Sequence, residues 1–220
     1  MLTPGRLLAA FALGALAVPE LAAQTATDLA DVCKAVGDAK LGQWASFDVT
    51  GGKLRVAIVG SERSGDTTLY WFEGNFAATD PSKSGIVQVL APSLATGSAS
   101  PRALILKLGA QPAMRVSGQM AGMMGQKGGH DNYIFDWAAR CTAAHIVGWQ
   151  SITVPAGTFR ALHVTTDDGT DVWGSRQVPL GLVQVRGKKG DLALRGHGVD
   201  AKSSITERPL ELPGMMMTKP

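Results

Sequence analysis

Residues 158–166 read TFRALHVTT, residues 167–169 read DDG and residues 170–175 read TDVWGS. An alternating run, a turn tripeptide and a second short run rich in β-branched and aromatic residues predict an antiparallel hairpin. The pattern extends in both directions. Upstream, Cys141 to Val154 leads into the turn Pro155-Ala156-Gly157. Downstream, a connector ends at Pro179, and Gly181 to Arg186, the turn Gly187 to Gly190 and Asp191 to Val199 follow. Strand, turn and strand therefore recur at close spacing through the whole C-terminal third.

The middle of the chain carries the same signals. Gln43 to Val49 and Lys53 to Val59 flank Thr50-Gly51-Gly52, and in the second run Leu54, Val56 and Ile58 alternate with Lys53 and Arg55, as in a half-buried strand. Ser61 to Asp66 is polar and reads as a turn into Thr67 to Phe76, a meander continued by Ile86 to Leu90 and Arg102 to Leu108. Ahead of the strands, Leu29, Val32, Cys33 and Val36 recur at helical spacing; Thr27 or Asp28 can cap that helix and Gly37 can stop it. Met114 to Met124 is rich in methionine and interrupted by Gly118 and Gly122, so it reads as a short helix or an irregular lid. The expected fold is mainly β with minor α: an antiparallel sheet curled into an open or half barrel, packed on an N-terminal helix and a short methionine-rich helix or lid.

Composition sets the class. The 220 residues are 45% hydrophobic and 18% charged with 27 glycines, a turn-rich balance that suits one β domain better than a helical bundle. The net charge of +3 and the lack of any Lys/Arg cluster beyond Lys188-Lys189 argue against nucleic acid as a partner. Arg6, the apolar run from Leu7 to Val18 and the small residues around Ala23 have the layout of a signal peptide. The run is too short for a stable membrane-spanning helix. The expected organisation is a signal peptide at 1–23, one β-rich half-barrel domain at 24–212 and a flexible tail at 213–220, in a periplasmic or secreted protein. In that compartment Cys33 and Cys141 are expected to pair, closing a loop of 108 residues.

Catalytic signatures are missing from the sequence. No Gly-x-Ser-x-Gly elbow occurs, and His130, His145, His163 and His197 stand beside no motif that marks a base, so no enzyme and no cofactor are expected. Gly196-His197-Gly198-Val199-Asp200-Ala201 matches a dinucleotide fingerprint only formally, since 19 residues follow it and no βαβ unit can be built. Asp167-Asp168-Gly169-Thr170-Asp171 resembles a calcium loop in composition but lacks its closing acidic residue, and reads as a hairpin turn. His163 shares a strand face with Phe159, Ala161 and Thr165 and reads as a hydrogen-bonded structural histidine.

The run Trp149-Gln150-Ser151-Ile152-Thr153-Val154-Pro155-Ala156-Gly157-Thr158-Phe159, followed by Asp171-Val172-Trp173 and Val178-Pro179-Leu180-Gly181-Leu182-Val183, resembles a pattern in uncharacterised exported bacterial proteins. Those proteins look like relatives of the periplasmic lipoprotein-carrier fold. The resemblance spans Trp149 to Val199 and implies a half-barrel shape and an apolar ligand, with no catalytic residue. Candidates to line its site are Leu69, Trp71, Leu104, Leu106 and Trp173, with Tyr70 and Phe72 replacing Trp71 if the strand faces are reversed, and with Met120, Met123 and Met124 as an adaptable cover. The expected function is an exported, noncatalytic carrier for a lipid-like or other apolar molecule, with peripheral contact to the membrane or to envelope proteins. The alternative is copper handling through the methionine segment, because thioether sulfur suits copper(I).

Overall fold

The computed structural model describes residues 28–34, 38, 40–94, 101–117, 137, 141–188 and 190–211. The signal segment, most of the methionine-rich stretch with Met120, Met123 and Met124, and the tail lie outside the described residues.

Period-two alternation dominates, and among the described residues twelve strands join one sheet. They are β1 (Trp44–Val49), β2 (Gly52–Ser64), β3 (Thr67–Ala78), β4 (Gly85–Ala91), β5 (Ala103–Leu108), β6 (Met114–Ser117), β7 (His145–Val154), β8 (Gly157–Thr165), β9 (Asp171–Gly174), β10 (Leu182–Gly187), β11 (Gly190–Gly198) and β12 (Leu210–Glu211). Their order across the sheet is β12-β6-β5-β4-β3-β2-β1-β11-β10-β9-β8-β7. Each neighbouring pair is antiparallel except β12 with β6, which is parallel. The sheet is open, ending at β7 and β12, and it curls. The β7–β8 hairpin tip reaches back to β11, where the Ala156 N–H donates to the Leu194 carbonyl at 3.0 Å. The mainly antiparallel, curled open sheet with a minor helix is thus the architecture observed.

Two sequence expectations are corrected. Residues 114–117 are strand, not helix or lid: Met114 pairs with Leu106 and Val116 with Leu104, while Arg115, opposite Ile105, points the other way. Two apolar–polar steps suffice for a short strand once β5 supplies a partner. The polar Ser61–Ser64 stretch continues β2 instead of turning, with Ser64 opposite Thr67. The turn is only Gly65-Asp66, and Gly65 supplies the positive φ of 59° that a two-residue hairpin loop asks for.

Residues 28–34 are helical, here α1, and lie on one face of the sheet, the helix face. Contact with β9 is close: a Cβ placed on Gly174 would stand 2.5 Å from Val32 Cγ1 and 3.8 Å from Trp137. The disulfide between Cys33 and Cys141 fixes this end of the helix, with Cα atoms 5.6 Å apart. Register carries the helix face across the sheet, from Leu162, Val172, Val185 and Leu192 through Phe47, Val56, Ile58, Phe72 and Val89 to Leu104 and Val116. All of these belong to a single buried apolar cluster with Leu29, Val32 and Trp137.

The opposite face is covered over β3–β5 by residues 201–209, a strap without regular structure. A second, smaller cluster lies there: Leu69, Trp71, Leu90, Ala103 and Ile105 with Ala113 and Ile205. The Ala201 N–H donates to the Gly42 carbonyl at one end of the strap and the Leu210 N–H to the Ala113 carbonyl at the other.

Candidate functional site

Three places gather side chains capable of chemistry. One is on the strap face over β2–β4, where Glu73 is fully buried. Its carboxylate accepts from Gln88 Nε2 (2.8 Å), the Ser204 N–H (2.9 Å) and Ser204 Oγ (2.7 Å), and pairs with Arg55 at 3.5 Å. A buried carboxylate is tolerated only when its lone pairs are met, and these donors meet them. Chemically it is a clasp for the strap. Two further anions assist: Trp44 Nε1–H donates to the exposed Asp200, just ahead of the strap, and Lys107 donates to the half-buried Glu207 within it. Each of these bonds holds its carboxyl below the ordinary range. Gly198 belongs to this arrangement, since a Cβ there would meet Trp44 Nε1 at 2.7 Å, so it makes room for an indole.

A second group occupies the same sheet face over β7–β10. The His163 ring stacks on Trp173 at 4.4 Å and 9°, and the Arg186 guanidinium lies 5.5 Å from the Trp173 ring centre. Trp173 Nε1–H donates to Gln150 Oε1, which leaves Gln150 Nε2 to donate to His163 Nδ1 at 3.1 Å. Nδ1 is therefore an acceptor, and Nε2–H donates to Asp171 Oδ1 at 2.9 Å. This bond lowers the Asp171 pKa first of all, with further lowering from the Thr165 hydroxyl. Both ring nitrogens of His163 are engaged, so the array is a closed structural network, as the sequence reading of His163 expects.

The third is a cleft of about 320 Å³ on the helix face, lined by Asp28, Trp149, Arg160, Ser175, Arg176 and Gln177. Trp149 pairs with Leu162 in register, which turns its indole toward α1, and its Nε1–H donates to Asp28 Oδ2 at 2.7 Å. Arg160 lies 5.2 Å from the Trp149 ring centre. Arg176 donates to Asp31 at 2.8 Å from the loop after β9. Trp149 also packs against the main apolar cluster, so the polar cleft borders the apolar face.

The residues expected to line one site are divided by the sheet. Leu104 and Leu106 face the helix side together with Tyr70 and Phe72, because Leu104 pairs with Val89 and Val89 with Phe72. Leu69 and Trp71 face the other way and lie under the strap, and Trp173 belongs to the stacked array on that same side. Trp71 has its own partners, donating to Glu62 at 2.9 Å with Arg115 at 5.3 Å from its ring. The cleft residues were not singled out by pattern, since they come from four separate segments. Their one local signal is the cross-strand placement of Trp149 and Arg160 either side of the Pro155-Ala156-Gly157 turn.

Among the described residues no group of three or more His, Cys, Asp or Glu side chains is placed to hold a metal ion. No helix among them is long and apolar enough to cross a membrane. No family model matches the chain, and no curated protein matches it. Among solved structures the chain is similar to one from Bacteroides fragilis NCTC 9343, described as a "putative exported protein with YmcC-like fold", at 12% identity and a TM-score of 0.34, covering 73% of this chain and 97% of that one.

Proposed function

We propose that this chain is an exported, noncatalytic binding protein that holds an apolar ligand, of the size of an acyl chain, against the helix face of its sheet. The observation that carries this reading is the continuity of that face. Phe47, Ile58, Phe72, Val89, Leu104 and Val116 come from six neighbouring strands and form one uninterrupted apolar layer, each of them buried on that face. An apolar surface with polar groups at its border is the usual make-up of a small-molecule site. The cleft around Trp149 supplies such a border. The resemblance of residues 149–199 to exported half-barrel proteins supports the same reading, with Met120, Met123 and Met124 as a cover that adapts to ligand shape.

The test is binding of a neutral naphthylamine probe by the mature protein, with native mass spectrometry and metal analysis of the same preparation. Fluorescence enhancement reversed by long-chain lipids, or co-purified lipid, supports the reading. A folded protein that leaves the probe dark shows that its own side chains fill the face and overturns it. Stoichiometric copper without lipid would replace it with the copper-handling alternative. Leu104→Lys, which places a charge on the apolar face, should weaken the probe about tenfold while the disulfide and strap stay intact.

A further inference from the structure

The cleft at Trp149 has more donors than acceptors. Arg160 is exposed and, among the described residues, has no carboxylate partner; its contact is with the Trp149 ring. Arg176 engages Asp31 through one nitrogen, an exposed pair that adds little and leaves further guanidinium N–H groups available. Ser175 is only 2% exposed; its Oγ accepts from the Gln177 N–H at 3.3 Å, and its own O–H has no acceptor among the described residues. Gln177 adds an amide. On the acceptor side stands Asp28, one of whose oxygens already takes the Trp149 N–H. The buried Ser175 hydroxyl, the Arg160 guanidinium, the remaining Arg176 N–H groups and the Gln177 side-chain amide N–H groups have no acceptor among the described residues, and an oxyanion provides several at once.

We infer that this cleft binds a phosphate or carboxylate group, and that it receives the anionic head of the ligand whose apolar part lies on the helix face. The second half of this statement rests on the function proposed above; the first half does not. Arg160 and Arg176 supply charge-assisted hydrogen bonds, the Ser175 hydroxyl and the Gln177 amide supply neutral ones, and the Trp149 ring holds the Arg160 guanidinium in place. Asp28 acts in the opposite sense, since its charge opposes the anion while its bond to the indole orients the platform. Removing that charge without removing the bond should therefore tighten binding.

The experiment compares dodecyl phosphate with dodecanol as competitors for the neutral naphthylamine probe, below their micellar concentrations, and follows inorganic phosphate separately by amide chemical shifts at residues 175–177. Dodecyl phosphate should compete about tenfold better than dodecanol, the difference should vanish in Arg160→Gln, and Asp28→Asn should enlarge it. If inorganic phosphate gives Arg160-dependent shifts and the dodecyl chain adds nothing to its affinity, the oxyanion site stands and its ligand is a free anion. Equal competition by the two amphiphiles, together with phosphate shifts that are absent or unchanged in Arg160→Gln, overturns the inference. If the probe does not bind at all, the apolar-ligand reading fails, while the phosphate arm still decides the cleft.

Discussion

The face of the sheet opposite the helix is finished in two ways. Over β3–β5 an irregular segment lies across it, and the central acidic side chain, Glu73, is fully buried among donors from both the sheet and the strap. Over β7–β10 no described segment lies across it, and its acidic side chain, Asp171, keeps 41% of its side-chain surface in water. Both places use indole, guanidinium, amide and carboxylate. What differs is solvent, and solvent decides the worth of each bond: a charge in water loses little when its partner goes, whereas a buried one cannot be left alone.

The comparison breaks if substitutions in the two places cost the same. Glu73→Ala should cost about 3 kcal/mol in urea unfolding, because it leaves the Ser204 N–H and the Ser204 hydroxyl without their acceptor and takes one of the two that the Gln88 amide has. Glu73→Gln, which keeps one carbonyl, should cost less. Gly174→Ala, on the helix face behind the stacked array, should cost about 2 kcal/mol, since a methyl there collides with Val32 and the helix must move. His163→Phe keeps a ring over Trp173 but loses the Asp171 bond, and should cost under about 1 kcal/mol. Its sharper readout is the Asp171 carboxyl, whose pKa should climb back toward the ordinary range by NMR titration.

Acid provides the gentlest test. Asp200 and Glu207 titrate below their unfolded values, so their contribution is complete above those values, which lie near pH 4, and is lost as pH falls through the lowered folded values. Hydrogen exchange in residues 201–209 should quicken in that window before exchange at β8 and β9 does. Uniform quickening across both regions would show that the strap is not held separately.

The hairpins were readable because a strand's alternation and its turn residues are both local. Thr165 faces Asp171 across a turn tied by Asp168, as the DDG tripeptide implies. The relation between strands was less readable. Alternation tells which residues of β3 share a side, but it does not say whether that side is Trp71's or Phe72's that meets Leu104 of β5. The strap was invisible for another reason: residues 201–209 have no period, and Ser204 meets Glu73 from 131 positions away. One signal did exist, a glutamate in the middle of the apolar run TTLYWFEGNF, which asks for donors from elsewhere. The cleft had no comparable signal, because Arg160 and Ser175 become neighbours only when β8, β9 and α1 are assembled.

The strand order also bears on how the chain reaches its fold. β1 to β6 form one run of neighbours and β7 to β11 another, and among the described strands the two runs are hydrogen-bonded to each other only where β1 pairs with β11. Each run can assemble through short-range pairing, which is fast, while the seam must join Phe47 to Leu194 across most of the chain, which is slow. Until β11 arrives, β1 offers an unpaired edge to any other strand nearby. The Cys33–Cys141 bond links the points just ahead of the two runs. Closing it first roughly halves the length of chain the seam must enclose, worth about 0.6 kcal/mol of closure entropy, so an oxidised chain has a head start in covering that edge.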